Sequence, residues 1–294
     1  MENTGVNIVE TITQTINNLF SNLFSSVDNS MYSVLDDLLF IDTDILKNNN
    51  LNNFLGTTNS SSLIIICNSL LIGFTIYYIF TLMLSHFTFS QVQNPIQFIF
   101  KLLLCAVAIN SSEFLIELFL SLVSNISLSI REIGEIILDE NICLSTFIEK
   151  ANSNVYIENA EFNMFSINGL IKGLISIGLL NLSISYSVRY IMVKVFVLLT
   201  PFALTSLLNL NTSWIFKSWF KILLSLLLLQ ILIPLILLVS FSLNFNSSDI
   251  FSKVIYIGCI YSLIKCNTFI KDFMGGLSTD VSVGISNFKS FLSH

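Results

Sequence analysis

From Leu63 to Leu84 the chain runs for 22 residues without one formally charged side chain. As a helix, such a run covers ~33 Å, enough to cross a hydrocarbon core about 30 Å thick. Further long apolar runs follow it, so the whole chain must answer to lipid. Charged residues make up only 11% of the 294, against roughly a quarter in ordinary globular domains. Hydrophobic residues make up 53%. Too little polar material exists to coat a soluble core, which excludes a soluble globular enzyme. Intrinsic disorder is excluded by the same numbers, since it needs low hydrophobicity and high charge. The expected fold class is all-α: a polytopic helical membrane protein of about five transmembrane helices, preceded by an amphipathic N-terminal helical region.

The apolar runs place the spans at about 63–84, 98–123, 165–201, 222–243 and 250–266. The third is the least regular. Its 165–208 stretch contains Lys172, Arg189, Lys194 and Pro201 with no turn signal between Ser187 and Arg189. Two spans without a loop are implausible, so one long helix that bends or ends near Pro201 is expected. Whether 188–210 is the end of that helix, a re-entrant piece or a separate span stays open. Residues 124–164 form a polar connection in which Ile126, Ile130, Ile133 and Ile137 keep a helical spacing. A tail, 267–294, closes the chain.

Residues 1–62 precede the first span. Within them Ile8, Ile12, Ile16, Leu19, Leu23, Val27, Met31, Val34 and Leu38 recur every three or four positions among Asn, Thr, Ser and Asp. That is an amphipathic stripe, suited to an interface or to partner helices. The first 25 residues hold no Lys or Arg and no solid apolar core, so no cleavable signal peptide is expected. Residues 47–53, KNNNLNN, read as a linker.

Basic residues set the orientation. With the N-terminus outside, the inner segments hold Lys101, Arg189, Lys194, Lys217, Lys221, Lys265, Lys271 and Lys289. The outer segments hold Lys47, Arg131, Lys150, Lys172 and Lys253. Eight against five favours N-out and C-in. Net charge is −6 and no basic block occurs, so there is no footprint for tight nucleic-acid binding.

Ionisable groups at membrane depth are costly and mark cavities or partners. Glu113 and Glu117 lie four apart and share a helix face. Lys172 lies at a matching depth on the long helix, so the three form a candidate intramembrane cluster, either a hydrophilic lining or an ion pair locking two helices. Arg189 and Lys194 are candidate inner-interface or conduit residues, with headgroup anchoring the simpler role. Pro201, followed by Trp214, Lys217, Trp219 and Lys221, marks a helix break and an interfacial elbow. No GxSxG, HExxH, Walker loop or GxGxxG occurs, and Glu113/Glu117 make a poor acid dyad, so no catalytic site is expected. The five cysteines are scattered without CxxC and read as small buried hydrophobes. With two histidines, a metal centre or other cofactor is not expected.

The segment Val193–Gln230, VKVFVLLTPFALTSLLNLNTSWIFKSWFKILLSLLLLQ, resembles the TrbL family of conjugation and type IV secretion systems. The resemblance rests on a long helix ending in Leu199-Thr200-Pro201-Phe202-Ala203, an elbow with Phe216-Lys217-Ser218-Trp219, and a Leu-rich run at 222–243. Asn267-Thr268-Phe269-Ile270-Lys271 is similar to the family's tail, although Thr268 stands where many relatives carry Pro. The resemblance implies a homo-oligomeric channel or scaffold subunit in the bacterial cytoplasmic membrane. It implies partners in an energising ATPase apparatus inside and stalk- or pilus-like subunits outside, with transient passage of DNA-bound relaxase or protein. The competing reading is a multi-pass solute permease, which internal repeats would favour; none is visible. A reporter fused after His294 should read cytoplasmic. An outside reading would mean an even number of spans.

Overall fold

In lipid, a chain must satisfy its backbone within each crossing segment, and helix is the way to do so without closing a barrel. The computed structural model describes residues 8–41, 62–88, 94–155, 166–209, 211–243 and 250–274. Among them every regular element is a helix, and the protein is an all-α polytopic membrane protein. In chain order these are α1 (Ile8–Leu39), α2 (Leu63–Thr88), α3 (Pro95–Asn110), α4 (Ser112–Leu138), α5 (Leu144–Val155), α6 (Ile167–Leu198), α7 (Thr200–Thr205), α8 (Ser213–Ser242) and α9 (Ile250–Met274). Helices α2, α4, α6, α8 and α9 are long and apolar enough to cross a membrane.

Local chemistry sets the boundaries. Asn94 Oδ1 accepts the Ile96 N–H at 3.1 Å, with Pro95 in the first turn of α3. Ser166 Oγ accepts the Gly169 N–H at 3.1 Å and opens α6. Asp139 takes a left-handed conformation, φ 54°, and closes α4. Pro201 has no N–H to continue the ladder of α6, which ends at Leu198.

Helix α8 is the centre of the bundle, packed against α4, α6 and α9. It runs antiparallel to α6, because Trp219 meets Phe196 and Arg189 meets Leu226. It runs parallel to α4, where Phe119 and Phe220 make an edge-to-face pair at 6.1 Å. Helix α9 runs parallel to α6, tied by Lys253 Nζ to Asn168 Oδ1 at 2.9 Å and by Tyr186 Oη–H to Leu263 O at 3.1 Å. The bundle thus has an elbow end, with α7 and the starts of α4 and α8. Its far end holds α5, the starts of α6 and α9, and the ends of α4 and α8. Helices α2 and α3 pair antiparallel, through Asn68–Asn110 amide hydrogen bonds and the stacked rings of Tyr78 and Phe98 at 3.8 Å. They join the rest through α7, where Leu204 and Leu208 pack on Cys67 and Ile109. Elsewhere α2 turns exposed apolar side chains such as Ile72, Phe80 and Leu84 outward.

Several boundaries differ from the sequence expectation. The second span does not run 98–123. The helix is interrupted at Ser111, and the long apolar helix continues from Ser112 to Leu138, through the start of the expected polar connection. The isoleucine spacing noted there belongs to α4. Helix α8 begins at Ser213, so Trp214, Lys217, Trp219 and Lys221 stand on its first turns and not in a loop. Helix α9 reaches Met274 and absorbs the first residues of the tail. The third span is one long helix followed by the short α7, with no separate sixth span at 188–210. Among the described side chains of α1 the fully buried ones are Leu35 and Leu39, one position off the Leu38 stripe, while Ile12, Leu19 and Leu23 are exposed. The side chains of Ile8, Val27, Met31 and Val34 lie outside the description, as do the 47–53 linker and residues 275–294. The five cysteines are unpaired; Cys259 is half-buried and the others are buried.

Small residues decide where helices approach. A Cβ on Gly178 of α6 would lie 2.9 Å from Ile260 Cγ2 on α9, and one on Gly134 of α4 2.7 Å from Ile142 Cγ1. Gly73 and Gly258 have nothing within 4 Å. Gly178→Leu and Gly134→Leu should each destabilise the detergent-solubilised protein by roughly 1–3 kcal/mol. Gly73→Leu should leave its thermal midpoint unchanged. Equal effects at all three sites would contradict this packing.

Candidate functional site: a buried polar seam at the end of α1

An α-helix ends in four carbonyls without intrahelical donors, and away from water side chains must supply them. The C-terminal end of α1 lies against α6 and α8, where two such side chains wait. Arg189 Nη1 donates to Leu39 O at 3.0 Å, and Gln230 Nε2 donates to Ile41 O at 2.7 Å. Arg189 Nε also donates to Leu226 O at 3.0 Å, bridging α1 to α8. Arg189 is 0% exposed and Gln230 2%. Among the described residues the guanidinium has no carboxylate within ion-pair range. Its charge is met instead by carbonyl dipoles, by the negative end of the α1 dipole and by the Tyr186 ring, 5.8 Å away.

One turn back, Asp36 caps α5. Its Oδ1 accepts the Leu144 N–H at 2.9 Å and its Oδ2 accepts the Ser145 hydroxyl at 2.6 Å. Arg131 Nε of α4 donates to Ile142 O at 2.9 Å, and its guanidinium lies 4.5 Å from the centre of the Phe40 ring. Four attachments from four helices, α4, α5, α6 and α8, therefore fall on Asp36–Ile41.

The seam is not fully satisfied. Among the described residues, Arg189 Nη2, Gln230 Oε1, Ser185 Oγ and Asn181 Oδ1 are buried without a hydrogen-bond partner. Asn181, Ser185 and Arg189 are spaced four apart, which places them on one face of α6. Each unsatisfied buried group costs about 1–3 kcal/mol. Pro234 adds to the strain on α8, since it has no N–H for the Gln230 carbonyl. The arrangement holds a chain segment and has donors and acceptors left over that water could satisfy. An apolar cleft of about 200 Å³ between α4, α7 and α8, lined by Phe119, Leu204, Phe216 and Phe220, offers far less chemistry.

The other expected site residues fall elsewhere. Glu113, Glu117 and Lys172 are not brought together. The two acids stand in the first turns of α4, at the elbow end with Phe119 and Phe220. Lys172 stands at the far end of α6, 24 positions before Phe196, which meets Trp219; that separation is about 36 Å along the helix. The expectation took a span ending near residue 123; with α4 starting at Ser112, the acids change ends. Arg189 is no headgroup anchor, because its side chain is fully buried in protein. It lies nine residues from the end of α6, about 14 Å from the elbow, roughly half the depth of a hydrocarbon core. Lys194 is half-buried, its Nζ 4.3 Å from the centre of the Tyr190 ring. Pro201 is buried in α7, while Trp214, Lys217 and Lys221 are exposed. Trp219 is turned inward and donates its indole N–H to Phe196 O at 2.8 Å, which pins α8 to α6.

Asp36, Arg131 and Gln230 were not singled out from sequence. Gln230 is a lone amide inside a Leu-rich run, and that was the available signal. Asp36 and Arg131 look like ordinary polar positions until the helices are placed. Arg189→Met should free the last carbonyl of α1, and Gln230→Leu the Ile41 carbonyl two residues beyond it. Amide hydrogen exchange over residues 35–41 should then rise roughly tenfold, the effect of one lost hydrogen bond, with α8 and α9 unchanged. No change over 35–41 would show that these bonds do not hold α1.

No protein-family model matches the chain, and no curated protein sequence matches it.

Proposed function

We propose that this protein is an integral membrane channel or scaffold subunit of a conjugative DNA-transfer or type IV secretion machine. It oligomerises in the cytoplasmic membrane and forms part of the translocation conduit. The observation that carries the reading is the Val193–Gln230 segment, whose residues resemble the TrbL family. Here it forms the end of a long apolar helix, the short Pro201 helix, a tight turn and the pinned start of α8. The multi-pass apolar bundle is the setting such a subunit requires.

On this reading the elbow end, with exposed Trp214, Lys217 and Lys221, faces the cytoplasm and an energising ATPase apparatus. The far end, with α5 and the acidic residues around it, faces stalk- or pilus-like subunits outside. Helix α1 enters from the far end and α9 finishes at the elbow end, which suits N-out and C-in. DNA-bound relaxase or protein cargo makes transient contacts only. The protein acts without catalysis of its own.

Arg189 at mid-depth, beside the broken α6–α7 path, is the observation that favours a solute permease as the second reading. Deleting the gene from a donor strain decides between them. Loss of DNA or effector transfer, restored by the gene in trans, is the expected result. Normal transfer with impaired uptake of a small solute would replace the channel reading with the permease.

A further inference from the structure

Two fully buried polar side chains at bundle depth, Arg189 and Gln230, are bonded to one short piece of chain. The segment Asp36–Ile41, the last turn of α1 and the two residues after it, bonds to Arg189 and Gln230 directly, and Ser185 and Asn181 continue the same face of α6. We propose that Asp36–Ile41 is a plug seated in a polar crevice between α6 and α8, and that its withdrawal admits water to Arg189, Gln230, Ser185 and Asn181.

The bonds that seat it are of a kind water replaces readily: two backbone carbonyls on an arginine and an amide, and one carboxylate on the start of α5. Its apolar holds are Leu39 and Ile41, both buried, and Leu38 and Phe40, half-buried against the core, with Leu35 just before them. The remaining walls do not depend on it. Trp219 pins α8 to α6, and Tyr186 and Lys253 pin α9 to α6. Seating leaves four polar atoms unpaired, and withdrawal hydrates all four. The seated state thus carries a penalty that the withdrawn state relieves, which brings the two close in free energy. Exposed Ile12, Leu19 and Leu23 on α1 give a partner a surface by which to draw the plug.

The test reads water access and is independent of which machine the subunit serves. In the full-length protein with its five cysteines replaced by alanine, Ser185→Cys places a thiol beneath the plug. Ser240→Cys, buried on α8 away from the seam, is the control. Proteoliposomes are treated with a membrane-impermeant anionic methanethiosulfonate, and the unreacted thiol is counted by maleimide gel shift. Asp36→Ala removes the α5 cap, and Arg131→Ala removes the separate hold beside Phe40. Each should accelerate modification at residue 185 roughly tenfold while residue 240 stays unreactive. Two weakening variants on different helices keep the test open if one does not assemble. Unchanged rates at 185, or a parallel rise at 240, would overturn the plug. Loss of cargo transfer with labelling as expected would leave the plug standing and bear on the conduit alone.

Discussion

A helix that stops away from water leaves carbonyls that must find donors, and the end of α1 stops where Arg189 and Gln230 provide them. This constraint organises the centre of the molecule. A guanidinium on α6 is tolerable in an apolar bundle only if dipoles surround it, and the α1 terminus supplies one from its negative end. The α1 terminus in turn depends on the cation. The same guanidinium reaches Leu226 O, so three helices meet on one side chain.

Around that point the bundle divides by chemistry. Apolar side chains alone cannot draw helices together in lipid, because the lipid is equally apolar. What specifies the packing is the small and the polar: Gly178 against Ile260, Gly134 against Ile142, Trp219 on Phe196 O, Tyr186 on Leu263 O, Lys253 on Asn168. The Leu-rich face of α8 then fills the space these contacts define. Helices α2 and α3 hold few such contacts beyond Asn68–Asn110 and α7, and accordingly present much of their apolar surface outward.

Much of the fold is legible in the residues. The uncharged run 63–84 is α2, Pro201 is the stop of α6, and the isoleucines at 126–137 are helical. The second span differs from the expected 98–123 because apolar run length says nothing of a break: Ser111 interrupts the helix inside an apolar stretch, and the helix beyond it tolerates Arg131 and four glutamates before Asp139 closes it. That shift moved Glu113 and Glu117 to the other end from Lys172. Arg189 was recognised as an intramembrane charge, but its role was not, since a basic residue near a helix end reads equally as an anchor or as a buried tie.

By itself the sequence determined that this chain lives in a membrane, how many helices are long enough to cross it, and where proline ends one of them. Those follow from hydropathy, length and local sterics, which are properties of neighbours in the chain. Only the tertiary structure decided which polar groups meet. Asp36 and Ser145 are 109 positions apart, Leu39 and Arg189 are 150 apart, and Ile41 and Gln230 are 189 apart. No periodicity encodes pairings across such distances, because they depend on how whole helices stack and on the need to leave few donors or acceptors dry.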